Sequence, residues 1–278
     1  MRPSRYVGWR RACQGSVALA FLAIPLLNAR GHGAVSGTAV ALKIGPLDLL
    51  ESASALSAAL ASGLAGAWLL AALPIVLFGL ALGPALCAWA CPWGLVSEGL
   101  DALRQLLRPR PWSARSAARV RGPRALALLG LLAAGALVGL PLCALVAGPR
   151  IATAAMAELV RLRSLSQLSA VLLAGLTALE LLGPRRLFCR ALCPAGALAT
   201  YLKARRGLRV QIAPSRCRCP VVAPCHQSCP WGIDSRAYSR FDGCTLCAAC
   251  FDACPRSALA WTVARPTGRR VEGDDSVS

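Results

Sequence analysis

Four stretches of this chain stay apolar for about the twenty residues that a helix needs to cross a bilayer. They run approximately over 12–29, 64–86, 124–148 and 168–188. The second and third are the most uniformly apolar, the fourth carries Glu180, and the first is interrupted by Pro25 and Asn28. Composition agrees with them. Hydrophobic residues make up 56% and charged residues 15%, with a mean hydropathy of +0.55, against about 45–50% and 25% in soluble domains. Arg10 and Arg11 ahead of the first stretch also fit a signal peptide. The flanking Leu27-Asn28-Ala29-Arg30 makes a poor cleavage site, so the expectation is a retained helix.

The formal charge of +19 invites a nucleic-acid reading, but few aromatics accompany the basic residues and no nucleic-acid module is recognisable. Lys and Arg instead alternate between the loops, with 4 before the first stretch, 2 in 30–63, 7 in 87–124, 3 in 149–167 and 15 from 185 onward. By the positive-inside rule the N-terminus, the second loop and the C-terminal tail lie on the inner face of the membrane.

Ten of the fourteen cysteines follow residue 188, many at spacings of two or three. Such crowding suits a shared metal centre better than disulfides and places the tail in a reducing compartment. Cys244-Thr-Leu-Cys247-Ala-Ala-Cys250-Phe-Asp-Ala-Cys254-Pro255 is the C-x2-C-x2-C-x3-C-P run that holds a [4Fe–4S] cluster in bacterial ferredoxins. Zinc shares the C-x2-C element, but it takes its ligands as two separated pairs and leaves the final Cys-Pro unexplained.

In two-cluster ferredoxins the fourth cysteine of each run serves the other cluster. Upstream, Cys225-His-Gln-Ser-Cys229-Pro230 supplies a matching end, preceded irregularly by Cys217 and Cys219. Cys229 is then expected to complete the site of Cys244, Cys247 and Cys250. Cys254, Cys225, Cys219 and Cys217 would form a second cluster site, or that half is degenerate. From about 207 the composition turns to Gly, Pro, Cys and charge, as in a small cofactor-stapled domain. The expected organisation is a membrane domain over 1–206, a cluster domain over 207–265 and a polar tail over 266–278.

A short repeat follows the second and fourth stretches. Cys87-Ala-Trp-Ala-Cys91-Pro92-Trp93-Gly94 resembles Cys189-Arg-Ala-Leu-Cys193-Pro194-Ala195-Gly196. The i, i+4 spacing would set both sulfurs of a pair on one helical face, and amphipathic segments follow over 95–107 and 197–206. If the two helix ends meet, four thiols converge, to bind a metal centre, exchange electrons or pack. Cys13 and Cys143 read as inert packing residues. The two histidines, His32 and His226, lie outside the apolar stretches, which argues against a membrane haem. Glu180 either snorkels or takes part in proton or quinol chemistry.

Taken together, the Arg10-Arg11-Ala-Cys13-Gln14 lead, the loop Gly45-Pro46-Leu47-Asp48-Leu49-Leu50, the paired Cys-x3-Cys-Pro motifs and the tail resemble the NapH/MauN family of membrane-bound ferredoxin-type proteins. The irregular Cys217–Cys225 stretch leans toward the methylamine-utilisation branch over the nitrate-reductase branch. The resemblance implies four transmembrane helices in a bacterial inner membrane and a small α+β ferredoxin-like domain in the cytoplasm. It implies an electron carrier rather than an enzyme, with membrane or periplasmic redox proteins as partners, and quinone and a second ferredoxin-type protein among the candidates. A maturation factor for a partner redox enzyme is the alternative.

Overall fold

The first helix, α1 (Arg5–Ala29), is 25 residues long and carries Pro25 near its end. It thus begins well before residue 12 and takes Arg10 and Arg11 into the helix. The structure is a computed structural model, and it describes residues 5–31, 33, 35–107, 121–203, 207–213, 215–219, 223–233 and 243–263. His32, the 108–120 segment and the polar tail over 266–278 lie outside the described residues.

The 30–63 loop is more ordered than expected. It holds an antiparallel meander of β1 (Val35–Thr38), β2 (Ala41–Ile44) and β3 (Leu47–Leu50), in the register Val35↔Ile44 and Ala41↔Leu50. A helix, α2 (Ser52–Ser62), follows, and the Glu51 side chain caps it by accepting hydrogen bonds from the Ala53 and Ser54 N–H groups. The reversal at Gly63, with φ of 69°, leads into α3 (Ala65–Leu82). Gly83-Pro84 stops that helix a turn short of residue 86, because a proline there cannot continue it. The short α4 (Ala85–Trp89), which holds Cys87, and the longer α5 (Pro92–Leu107), which Cys91 immediately precedes, follow.

The third apolar stretch does not form a single span. The helix α6 (Arg121–Val138) ends at Gly139, whose φ is 71°. Pro141 lacks an N–H and disfavours helical backbone at Leu140, and the Leu140 N–H bonds back to the Gly135 carbonyl at 3.0 Å. The short α7 (Leu142–Val146) then returns toward the cysteines, and the Cys143 N–H donates to Ser57 Oγ at 3.3 Å. Next come α8 (Gly148–Leu162) and α9 (Gln167–Leu182). The fourth expected span likewise ends early, at Gly183-Pro184. The second cysteine pair lies on a π-helical turn, Phe188–Leu192, and at the start of α10 (Pro194–Leu202).

Among the described residues two helices, over Tyr6–Ala29 and Ala65–Leu82, are long and apolar enough to cross a membrane. The apolar part of α6, Pro123–Val138, and the whole of α9 are shorter. The 16 residues of α9 span about 24 Å at the α-helical rise, less than the roughly 30 Å of a hydrocarbon core. Large apolar side chains such as Leu70, Leu77, Leu126, Leu137, Leu168 and Val171 point outward.

The short cysteine repeat belongs to a much larger one. The helices α1, α2, α3 and α5 correspond in order to α6, α8, α9 and α10, and the contacts exchange accordingly. As α1 packs on α8, so α6 packs on α2; as α5 packs on α9, so α10 packs on α3. Contacts of α1 with α5 and of α5 with α8 are matched by those of α6 with α10 and of α10 with α2. Such reciprocity is what a two-fold relation between halves produces. Gly83-Pro84 and Gly183-Pro184 occupy equivalent places.

The tail is a small α+β unit. Strands β4 (Arg209–Ile212) and β5 (Leu259–Thr262) pair antiparallel with Val210↔Trp261, and α11 (Pro224–Gln227) and α12 (Ala249–Ala253) lie between them in sequence. It docks against the start of α1. The Asp252 carboxylate accepts the Tyr6 and Val7 N–H groups at 3.3 and 2.9 Å, and Tyr6 packs on Phe251 at 5.7 Å between ring centroids. The start of α1 and the tail therefore share one end of the described structure with Trp89 and Arg190, which lie within the two cysteine motifs and reach Leu246 and Cys229.

Candidate functional site

Each Cys-Pro motif builds its cysteine into the entrance of a helix. Cys193 is the N-cap of α10, and Cys91 immediately precedes Pro92, the first residue of α5. Proline suits this position because its missing N–H would have had no partner in the first turn. The free N–H groups just beyond it turn onto sulfur: those of Trp93 and Gly94 onto Cys91, and those of Ala195 and Gly196 onto Cys193. This corrects the expectation that each pair lies along one helical face. Cys87 and Cys189 sit on short turns that end before their partners, so the i, i+4 relation is broken between them.

The two halves bring these four sulfurs together. Cys91 and Cys193 both lie close enough to raise the pKa of Cys87 and of Cys189. Close packing needs the glycines. A Cβ on Gly94 would stand 2.7 Å from the Cys87 carbonyl oxygen, and one on Gly196 would stand 3.2 Å from Arg124 Nη2 and 3.9 Å from Cys87 Sγ. Burial is the main influence on all four thiols, and it pushes Cys91 up to about 12 against the pull of its N–H bonds.

Polar side chains surround the group without partners of their own. Gln14 is fully buried beside Gly94, with neither its Oε1 nor its Nε2 hydrogen-bonded. Arg124, 5% exposed, has Nε and Nη2 unpartnered, and it faces Cys87, Cys193 and Cys189. Trp93 Nε1 and Ser97 Oγ are also buried and unbonded. The Glu51 carboxylate also acts on Cys87 and Cys193, but it is committed to the α2 N-terminus. Glu180 does not snorkel. It is 4% exposed and accepts hydrogen bonds from the Cys189 N–H and thiol.

A second group forms in the tail. Cys229, Cys244, Cys247 and Cys250 line one cavity with Val210, Trp231, Ile233, Thr245, Leu246 and Ala248. The C-x2-C-x2-C loop wraps it through left-handed backbone at Leu246 and Ala248, with φ of 54° and 59°. Such backbone costs an L-residue roughly 1–2 kcal/mol, and here it turns N–H groups inward. The Leu246 N–H bonds to Cys244, while those of Trp231 and Ile233 bond to Cys229. The structure thus brings Cys229 to the cavity that Cys244, Cys247 and Cys250 line. Burial pushes Cys229 up to about 12, with Cys247 and Cys244 adding to it.

Cys217, Cys219 and Cys254 lie together, and the Ala258 N–H bonds to Cys254 Sγ at 3.3 Å. Cys225 is buried against Cys250, in the apolar cluster that also includes Cys219 and Cys254. His226 stands beside it on α11. Cys143 is buried, whereas Cys13 is exposed on α1 and does not pack inside as expected.

Short links join the groups. Trp89 Nε1 donates to the Leu246 carbonyl at 3.1 Å, tying the first cysteine pair to the tail loop. Arg124 reaches Gly243 as well as Cys87, so a Cβ on Gly243 would stand 2.6 Å from its Nη1. Buried Arg190 faces Cys229, and buried Lys203 faces Cys244.

Among the described residues no three His, Cys, Asp or Glu side chains sit as closely as one metal ion requires. Tetrahedral zinc, with bonds of about 2.3 Å, draws its sulfurs to roughly 4 Å of one another. A cubane is several atoms across and holds its thiolates farther apart. The all-cysteine donor sets, inward N–H groups and buried basic side chains fit such an anionic group.

Sequence reasoning identified all twelve of these cysteines but missed Gln14 and Arg124. Their equivalence shows only once α1 and α6 are seen to occupy matching places.

No curated protein and no solved structure matches the chain. A sequence model of the 4Fe-4S binding domain matches it twice, over residues 64–111 and 165–210, together about a third of its length. The matches fall on the two Cys-x3-Cys-Pro motifs and their preceding helices, not on the ferredoxin run of the tail. They support a ferredoxin-type iron–sulfur protein, in agreement with what the cysteine geometry suits.

Proposed function

We propose that this chain is a membrane-bound iron–sulfur electron carrier, anchored by its apolar helices in a bacterial inner membrane with its cysteine end in the cytoplasm. The observation that carries the reading is the adjacency of cysteine groups, one at the helix ends and one in the tail cavity, joined by Trp89, Arg124 and Arg190. An iron–sulfur cluster bound by such thiolates takes up and gives back one electron at a time. The chain's part is to exclude water with Val210, Trp231 and Ile233. It also aims backbone N–H groups at sulfur and places positive charge, through Lys203 and Arg190, beside the tail thiolates. Desolvated donors and charges of this kind set a cluster's potential.

In this reading the exposed apolar belt holds the carrier within reach of membrane quinone or a membrane redox partner. Its electrons serve a periplasmic oxidoreductase system such as methylamine oxidation or nitrate reduction. The purified protein should be brown and should give a paramagnetic signal when reduced by a quinol or a cytoplasmic donor. A preparation with full iron that no such donor reduces overturns the proposal.

A further inference from the structure

The sequence model matches each half separately, as though each held its own cluster, yet neither half has more than two cysteines at its helix ends. We infer that Cys87, Cys91, Cys189 and Cys193 form one binding site for a single [4Fe–4S] cluster shared between the halves. The inference rests on the iron–sulfur reading above and adds a site that the ferredoxin run of the tail does not provide.

Three observations carry it. First, the two-fold exchange of helix contacts sets the two Cys-x3-Cys-Pro motifs against each other, so each half supplies two of four converging sulfurs. Second, Arg124 is a buried guanidinium with two unbonded nitrogens, and no carboxylate among the described residues pairs with it. Taking a charge out of water costs several kcal/mol, and neutral thiols facing it do not offset that. A cluster carried on four thiolates is anionic and does. Third, Gln14 stands over Gly94 where Arg124 stands over Gly196. Each half thus presents an unbonded buried donor to the same space. Inert packing of four thiols leaves both donors unexplained, because buried polar groups are rarely left without partners.

The test uses the full-length chain, purified anaerobically in detergent and assayed for iron, acid-labile sulfide and zinc. Cys87→Ser and Cys189→Ser alter different halves. Each should lose about four irons per polypeptide, the content of one cubane, and the double variant should lose no more than either alone. Losses that add, unchanged iron in all three, or zinc in place of iron overturn the shared site. Cys247→Ser in the tail separates the two readings. If it loses iron while Cys87→Ser does not, the electron-carrier proposal stands and the shared site falls; an intact chain without iron ends both.

Serine variants that no longer elute as a single species are replaced by Gln14→Leu, which removes a donor and no ligand. It should leave the iron content unchanged and move one reduced-state signal to a more negative potential. No movement of any signal overturns the assignment.

Discussion

Glu98 illustrates how much charge is held inside this protein. Its carboxylate pairs with Arg10 and Arg186, and all three side chains are 8% exposed or less. Burial works against the carboxylate, but the Arg10 bond, with Arg186 and Arg11, outweighs it and holds the pKa below the ordinary 4.5. A depressed carboxylate pKa gives stability that is fully present above the ordinary value and is lost as pH falls through the folded one. Thermal unfolding in detergent should therefore be flat from neutrality to about pH 5 and fall below that. Glu98→Gln should cost about 3 kcal/mol at neutral pH, because it leaves Arg10 buried without its carboxylate and Arg186 with Asp101 alone. It should also flatten the acid slope, with Glu158, whose pKa its Ser166 and Ser169 bonds also lower, keeping a remainder. Gly94 makes a second residue-scale case. Gly94→Ala forces a methyl against the Cys87 carbonyl, and overpacking of this kind costs about 1–3 kcal/mol. Iron assays should show loss from the helix-end site while Cys244 and its neighbours keep theirs. The cysteines themselves were legible in the sequence because ligand spacing is local. Gln14 and Arg124 were not, since their meaning depends on what stands opposite them across the bundle.

At the scale of elements, the apolar runs located α1, α3, α6 and α9, but only α1 and α3 are long and apolar enough to span a membrane, and α3, α6 and α9 all end before their runs do. Gly139, Leu140 and Pro141 are apolar enough to pass inside a span, yet their backbone preferences reverse the chain. Gly183-Pro184 ends α9 early in its turn. The meander over 35–50 was hidden because its four-residue strands lie between turns and show little alternation of burial. The tail's hold on α1 was also invisible, since Asp252 caps a helix whose first residues lie some 246 positions away. Losing a capping carboxylate usually costs about 1 kcal/mol. Asp252→Ala should therefore loosen the tail without unfolding the bundle. Limited proteolysis should cut the Asp252→Ala tail faster than the native one, at unchanged thermal stability of the membrane helices. Equal cleavage rates would mean that the Tyr6–Phe251 ring contact and the Trp89–Leu246 hydrogen bond secure it without the carboxylate.

For the whole molecule, outward leucines and two long apolar helices predict a protein that stays with the membrane pellet through an alkaline carbonate wash and needs detergent for release. Release by carbonate alone would show that the apolar belt is covered by protein instead. The two-fold plan was only partly legible. Eight residues around each cysteine pair repeat recognisably, whereas the helices that share the plan have diverged too far to align by eye. One half returns through strands, and the other through α7.

The swapped packing of the halves has a consequence for the order in which the protein is made. A ribosome delivers the first cysteine pair about a hundred residues before the second, and domains generally fold as they emerge. Here the first half cannot finish on its own. Its long helix α1 rests on α8, its α2 on α6, and its N-terminus waits for Asp252 near the far end of the chain. Until then Cys87 and Cys91 lack the Cys189 and Cys193 thiols that face them in the finished bundle. On the shared-site inference, iron can be loaded only after Cys189 and Cys193 have been made, and the unpartnered first pair is the stage most open to oxidation.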